Sequence, residues 1–229
     1  MGRLRRTAAF IGATTFGTRA EAARAIERVR RVHLGVQGRS PDGRGYAASD
    51  PDLLTWVHVA EVYSFMRAAD LYGPRRYSAE ERDRYFAETA RVARALGAEW
   101  VPVTAGEVDE YLLGVRGQLY AGHQAIEARD FLLQGVAKRP MDRAVYGAIV
   151  TAALCVVPSW ARAKLKIVMP PLMDRIVIAP AARGLCAALR WTVTPPAPAR
   201  APGSCDTGAD PIPPPIGPRA RARSGHDAT

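Results

Sequence analysis

The chain has 229 residues, is 48% hydrophobic and carries a formal net charge of +10. That is enough apolar material for one sizeable core, and Ala- and Arg-rich composition with few alternating β-branched runs predicts an all-α domain of about seven to nine helices. The charge does not point to nucleic acid, because the arginines are interleaved with carboxylates, as between Ala79 and Arg94, with no strip of alternating basic and aromatic residues.

In chain order, Thr7 to Phe16 reads as a short apolar helix stopped by Gly17. Thr18 with Glu21 forms a capping box that opens a helix from Arg19 to Val36, ending at Gly38. Its apolar face carries Ile26, Val29, His33 and Val36, with Arg30 one turn before His33. Ser40 to Ala48 reads as a loop around the Pro41-Asp42-Gly43 turn signal. Asp50 is a natural N-cap and Pro51 fits the first helical position, so a helix should run to Tyr72 and close at Gly73-Pro74. On that helix His58 shares a face with Leu54, Val62 and Phe65.

Ser78 with Glu81 opens a further helix ending at Gly97, and Thr104 with Glu107 opens another through Tyr111 and Leu112. Gln124 to Leu133 gives one more. The uncharged stretch Ala144 to Ala161 stands at the lower length limit for a membrane span, but Pro158 favours a buried helix with a break. Leu172 to Trp191 is helical with an interruption near Pro180. Half of the 18 prolines fall after residue 194. Residues 1–194 are therefore expected to form the helical domain and 195–229 a disordered tail rich in Pro and Arg.

Cys155, Cys186 and Cys205 show no paired spacing, and the basic start lacks a cleavage signature. A reducing, cytoplasmic setting is expected, with peripheral membrane contact left open. No phosphate-binding loop, nucleophile elbow or H-E-x-x-H is present, and Glu21, Glu27 and Glu61 read as ordinary helix-face charges. His33, His58 and His123 are the histidines that can serve within a fold. A histidine on an apolar face is either a hydrogen-bonded core residue or a neutral ligand to metal or haem iron. The helices of His33 and His58, packed as antiparallel neighbours, would clasp a flat macrocycle between them.

Ordered pieces from Arg6-Thr7 to Gly97 resemble the MpaB and rubber-oxygenase catalytic-domain family. They include Thr14-Thr15-Phe16-Gly17, Arg30-Arg31-Val32-His33, Asp42-Gly43, Asp50-Pro51, Leu53-Leu54 and Trp56-Val57-His58. The resemblance implies an all-α fold binding haem b, with His58 as axial iron ligand and Thr15 and Arg30 among the cofactor contacts. Arg30 and His33 would lie on the distal side, where rubber oxygenases carry an arginine and a lysine. It also implies oxygenase chemistry with dioxygen on a small apolar substrate.

Two features depart from that family. Its members carry a further helical segment ahead of the match, so this chain reads as an N-terminally short member. Rubber oxygenases also use an upstream glutamate as base, whereas the first carboxylate here is Glu21. The alternative expectation is a non-catalytic helical relative that has lost full haem binding and serves in interaction or at a membrane surface.

Overall fold

A computed structural model describes residues 2–40, 43–134, 140–169, 178, 180–184 and 186–187. The chain divides into a unit Met1–Val193 and a second from residue 194 on, and all described residues belong to the first. The Pro-rich segment 195–229 and most of Leu172 to Trp191 lie outside the described residues.

The fold is all-α, as expected. Its helices are α1 (Gly2–Phe16), α2 (Arg19–Leu34), α3 (Pro51–Tyr72), α4 (Ala79–Leu96), α5 (Ala105–Val115), α6 (His123–Gln134), α7 (Pro140–Val156) and α8 (Ser159–Lys164). The three predicted capping boxes form. Thr18, Ser78 and Thr104 each accept from the amide of a glutamate three residues on, and that glutamate returns a bond to the cap amide. The Asp50 carboxylate accepts from Asp52 and Leu53, fixing the start of α3 and therefore the rotation at which His58 emerges.

Three local expectations are corrected. Helix α1 starts at Gly2, five residues before the predicted Thr7; Leu4, Arg5 and Arg6 are all exposed, so no apolar periodicity marks that turn. Helix α2 stops at Leu34, capped by Gly35, rather than reaching Val36. The Ser40 to Ala48 loop contains a strand, β2 (Gly45–Ala47), which pairs antiparallel with β1 (Gln37–Arg39) just ahead of it, Gly38 opposite Tyr46. Gly43 turns the ribbon at φ 84°, a conformation open to glycine without the Cβ penalty. The Ala144 to Ala161 stretch does break at Pro158, and among the described residues no helix is long and apolar enough to cross a membrane.

Helix α3 is the central element. One part of the core joins its Val59, Val62 and Met66 to Phe86 of α4 and to Val108 and Leu112 of α5. A second joins Leu54 to Ala90 and Ala93 of α4, with Ala98 and Val101 just beyond. The two alanines let the α3 and α4 backbones approach closely, and Gly97 at φ 120° turns the chain away immediately after. Polar ties hold these helices in register. Arg82 pairs with Asp70 at 2.7 Å, Asp83 accepts from the Ala105 amide at 2.8 Å, and the Tyr72 hydroxyl donates to the Ala152 carbonyl at 2.8 Å. Helix α2 packs against α1 and α4.

Candidate functional site

Between α1, α3 and α4 lies a cavity of about 970 Å³. That is the upper end of the roughly 300–1,000 Å³ typical of ligand and cofactor sites. Phe10, Ile11, Val62, Phe65, Met66 and Val92 give it apolar walls. Polar groups enter from all three helices: Thr14 and Thr15 from α1, His58 and Glu61 from α3, and Glu81, Arg84, Tyr85, Glu88 and Thr89 from α4, with Tyr77 just ahead of it.

His58 is half-buried, and its Nε2 is buried with no hydrogen-bond partner. Burial lowers its pKa from 6.5 to about 4, so the imidazole is neutral at neutral pH, the form a metal ligand takes. One turn on, burial raises the Glu61 carboxyl above its ordinary range. From α4, the Tyr85 phenol is pushed up to about 12, first by burial and then by the Glu61 charge, so it remains a donor. Thr14 directs its hydroxyl back to its own helix, at 3.0 Å from the Phe10 carbonyl, leaving Thr15 as the hydroxyl at that wall with no such tie.

The predicted site residues are not all brought together. His58 and Thr15 line the cavity, whereas Arg30 and His33 do not. Arg30 is exposed on α2, contrary to the expectation that it turns inward with Ile26 and Val29. His33 is half-buried with its Nδ1 buried and unpartnered, away from these walls. The reason lies in packing: the helix that faces His58 across the cavity is α4, together with the end of α1, while α2 lies behind them. His123 is exposed at the start of α6 and sits 3.5 Å from Glu127.

Sequence reasoning passed over Glu61 and Tyr85. The spacing of Glu61 from His58, three residues, was the available signal, since it places both on one helix face. Nothing in the local sequence marks Tyr85 as their neighbour.

Among the described residues no group of three or more His, Cys, Asp or Glu gathers as a bare metal ion would need. A porphyrin supplies four ligands itself and asks the protein for one axial nitrogen, apolar walls and a cationic contact for its carboxylates. His58 Nε2, the aliphatic and aromatic walls and Arg84 meet those requirements.

Among the described residues, fold and site thus define an all-helical protein with a large, mainly apolar cavity and a neutral histidine set in its wall. Residues 1–191 match the model of the family described as ER-bound oxygenase mpaB/B'/Rubber oxygenase, catalytic domain, and the chain belongs to that family. No match is found among curated proteins or among solved structures.

Proposed function

We propose that this protein is a haem b-dependent, oxygenase-like oxidoreductase that acts on a small apolar substrate with dioxygen. The observation that carries the reading is His58: a neutral imidazole in the wall of a large apolar cavity, its Nε2 buried and unpartnered. An unsatisfied buried ring nitrogen costs free energy unless something outside the described residues meets it, and a haem iron held by His58 would do so. When bound, haem supplies the redox chemistry on dioxygen.

The chain's own residues then have separable tasks. His58 would hold the cofactor through Nε2, and Arg84 would supply a positive charge for its carboxylates. The apolar walls seat the substrate and keep water out, which strengthens every polar contact inside. Thr15 and Tyr85 offer hydroxyl donors on the side facing α3. Arg30 and His33, which the family resemblance assigns to the distal side, stand on α2 outside these walls and are assigned no step here.

A second reading is favoured by one surface. Val32 and Leu34 at the end of α2, Val36 just after it, and Leu53 and Val57 on α3 are each exposed apolar side chains. This fits a family member that works by contact with a partner or a membrane surface rather than by chemistry.

The test is an absorption spectrum of the purified protein with haem quantified, beside His58→Ala and His123→Ala. The expected result is a Soret band lost or shifted in His58→Ala and unchanged in His123→Ala. Full haem occupancy with an unaltered spectrum in His58→Ala would remove the assignment, and absence of haem from the unmutated protein favours the second reading.

A further inference from the structure

Three carboxylates line the cavity, Glu61, Glu81 and Glu88, and none has a part in holding the cofactor. Glu61 lines the wall one turn beyond His58 and makes no hydrogen bond or ion pair with any described residue. The other carboxylates at this cavity are accounted for differently. Glu81 is held by Arg75 at 2.6 Å and by the Ser78 amide, and Glu88 is exposed to water. The cation at the cavity, Arg84, is itself exposed. Glu61 is therefore half-buried among Val62, Phe65 and Met66 without a donor, and its charge reaches the Tyr85 phenol across the gap from α4.

A carboxylate in an apolar wall disfavours a plain hydrocarbon, because seating one strips its water and gives nothing back. A chain that ends in a hydroxyl or an amine restores the missing hydrogen bond, and bonds to a charged acceptor are the strong ones. We infer that Glu61 is a specificity-determining residue: the cavity selects apolar molecules bearing a hydrogen-bond donor, with the Glu61 carboxylate accepting from it and the neighbouring Tyr85 hydroxyl donating to the same oxygen when the group is an alcohol. The inference rests on reading this cavity as the substrate site. The Glu61 oxygens stay accessible from the cavity rather than sealed in the protein, so a ligand's donor can reach them, while partial burial of the side chain raises its pKa.

Three probes with a common ten-carbon chain separate the possibilities: decanol, decylamine and decyl methyl ether, the last of which accepts but cannot donate. Binding to the full-length protein as purified is measured by isothermal titration calorimetry, with haem content read from the Soret band of the same samples. The unmutated protein should bind decanol and decylamine about tenfold more tightly than the ether. Glu61→Met should bring the three within about twofold without weakening the ether. Glu61→Gln, nearly isosteric, keeps an acceptor but no charge, and should lower decylamine affinity about tenfold while leaving the ether unchanged. Thermal melts confirm that each variant is folded, and if Glu61→Met is not, Glu61→Gln decides.

Equal binding of decanol and the ether by the unmutated protein overturns the inference. So does a donor preference that survives Glu61→Met, decylamine affinity unchanged by Glu61→Gln, or failure of all three probes to bind. Haem absent from every sample while the donor preference holds would instead remove the haem reading and leave Glu61 as the anchor of a binding pocket.

Discussion

The Thr55 hydroxyl donates to the backbone carbonyl of Trp100 at 2.8 Å, joining residues 45 apart in sequence and three positions upstream of His58. The same oxygen lies 3.0 Å from the Pro51 carbonyl one turn back, but with a single proton it serves the shorter contact. Thr55 is the buried polar residue among the described residues and ties α3 to the chain that leads into α5. Replacing it with Val keeps the shape and removes the donor, leaving the Trp100 carbonyl unmet. Thr55→Val should destabilise the fold by about 1–3 kcal/mol in chemical denaturation. A change below about 0.5 kcal/mol would show that this tie does not hold the helix.

Phe86 and Phe65 separate core from cavity. Phe86 is 3% exposed and sits against Val59 and Val108, whereas Phe65 is 43% exposed at the cavity wall. Phe86→Ala should cost about 3–5 kcal/mol, the range for a lost core aromatic. Phe65→Ala should leave the unfolding midpoint close to that of the unmutated protein while weakening binding of an apolar probe. Similar losses of stability in both variants would mean that the cavity wall is part of the core.

Glu81, at the cavity rim and paired with Arg75, provides a pH signature. Its carboxyl is lowered from 4.5 to about 2, chiefly by the hydrogen bond from Arg75 and then by the Ser78 amide. Because the folded value lies below the unfolded one, the unfolded chain binds the extra proton first. The stabilisation is fully present above pH 4.5 and is lost as pH falls from there towards 2. Melts at pH 6, 4 and 3 should show a steeper acid loss in the unmutated protein than in Glu81→Gln. The effect should be small, since the pair is open to solvent, and should shrink further in salt.

Arg30 and Arg31 test the distal assignment. Both are exposed, and Arg31 lies 3.7 Å from Glu27 in a surface pair. Alanine at either position should shift stability by no more than about 0.5 kcal/mol. Haem content per protein in Arg30→Ala should stay at the level of Arg31→Ala, as expected of a side chain outside the cavity walls. Loss of haem or of oxygen uptake confined to Arg30→Ala would show that α2 comes to line the reactive space.

What the sequence determined by itself are the features closed within one or two turns. A capping box needs only residues i and i+3, so Thr18, Ser78 and Thr104 mark their helices without knowledge of any neighbour. The same holds for Asp50-Pro51 and for the face shared by Leu54, His58 and Val62. The family likewise was legible, because its ordered pieces between Arg6 and Gly97 need no third dimension to be matched. Short ribbon strands were not, since Gln37–Arg39 gains its pairing from Gly45–Ala47 and has no alternating apolar pattern of its own.

Only the tertiary structure decided which faces meet. Helical period fixes the angle between His33 and Ile26 but not whether α2 or α4 stands opposite His58, and it is α4 with the end of α1 that does. That choice set Arg30 in solvent, brought Tyr85 towards Glu61, and turned a carboxylate that reads as an ordinary surface charge into part of a cavity wall. The physical reason is that charge and burial depend on what packs across a gap. Ala90 and Ala93 set that approach by being small, and their partner Leu54 lies 36 residues before the first of them.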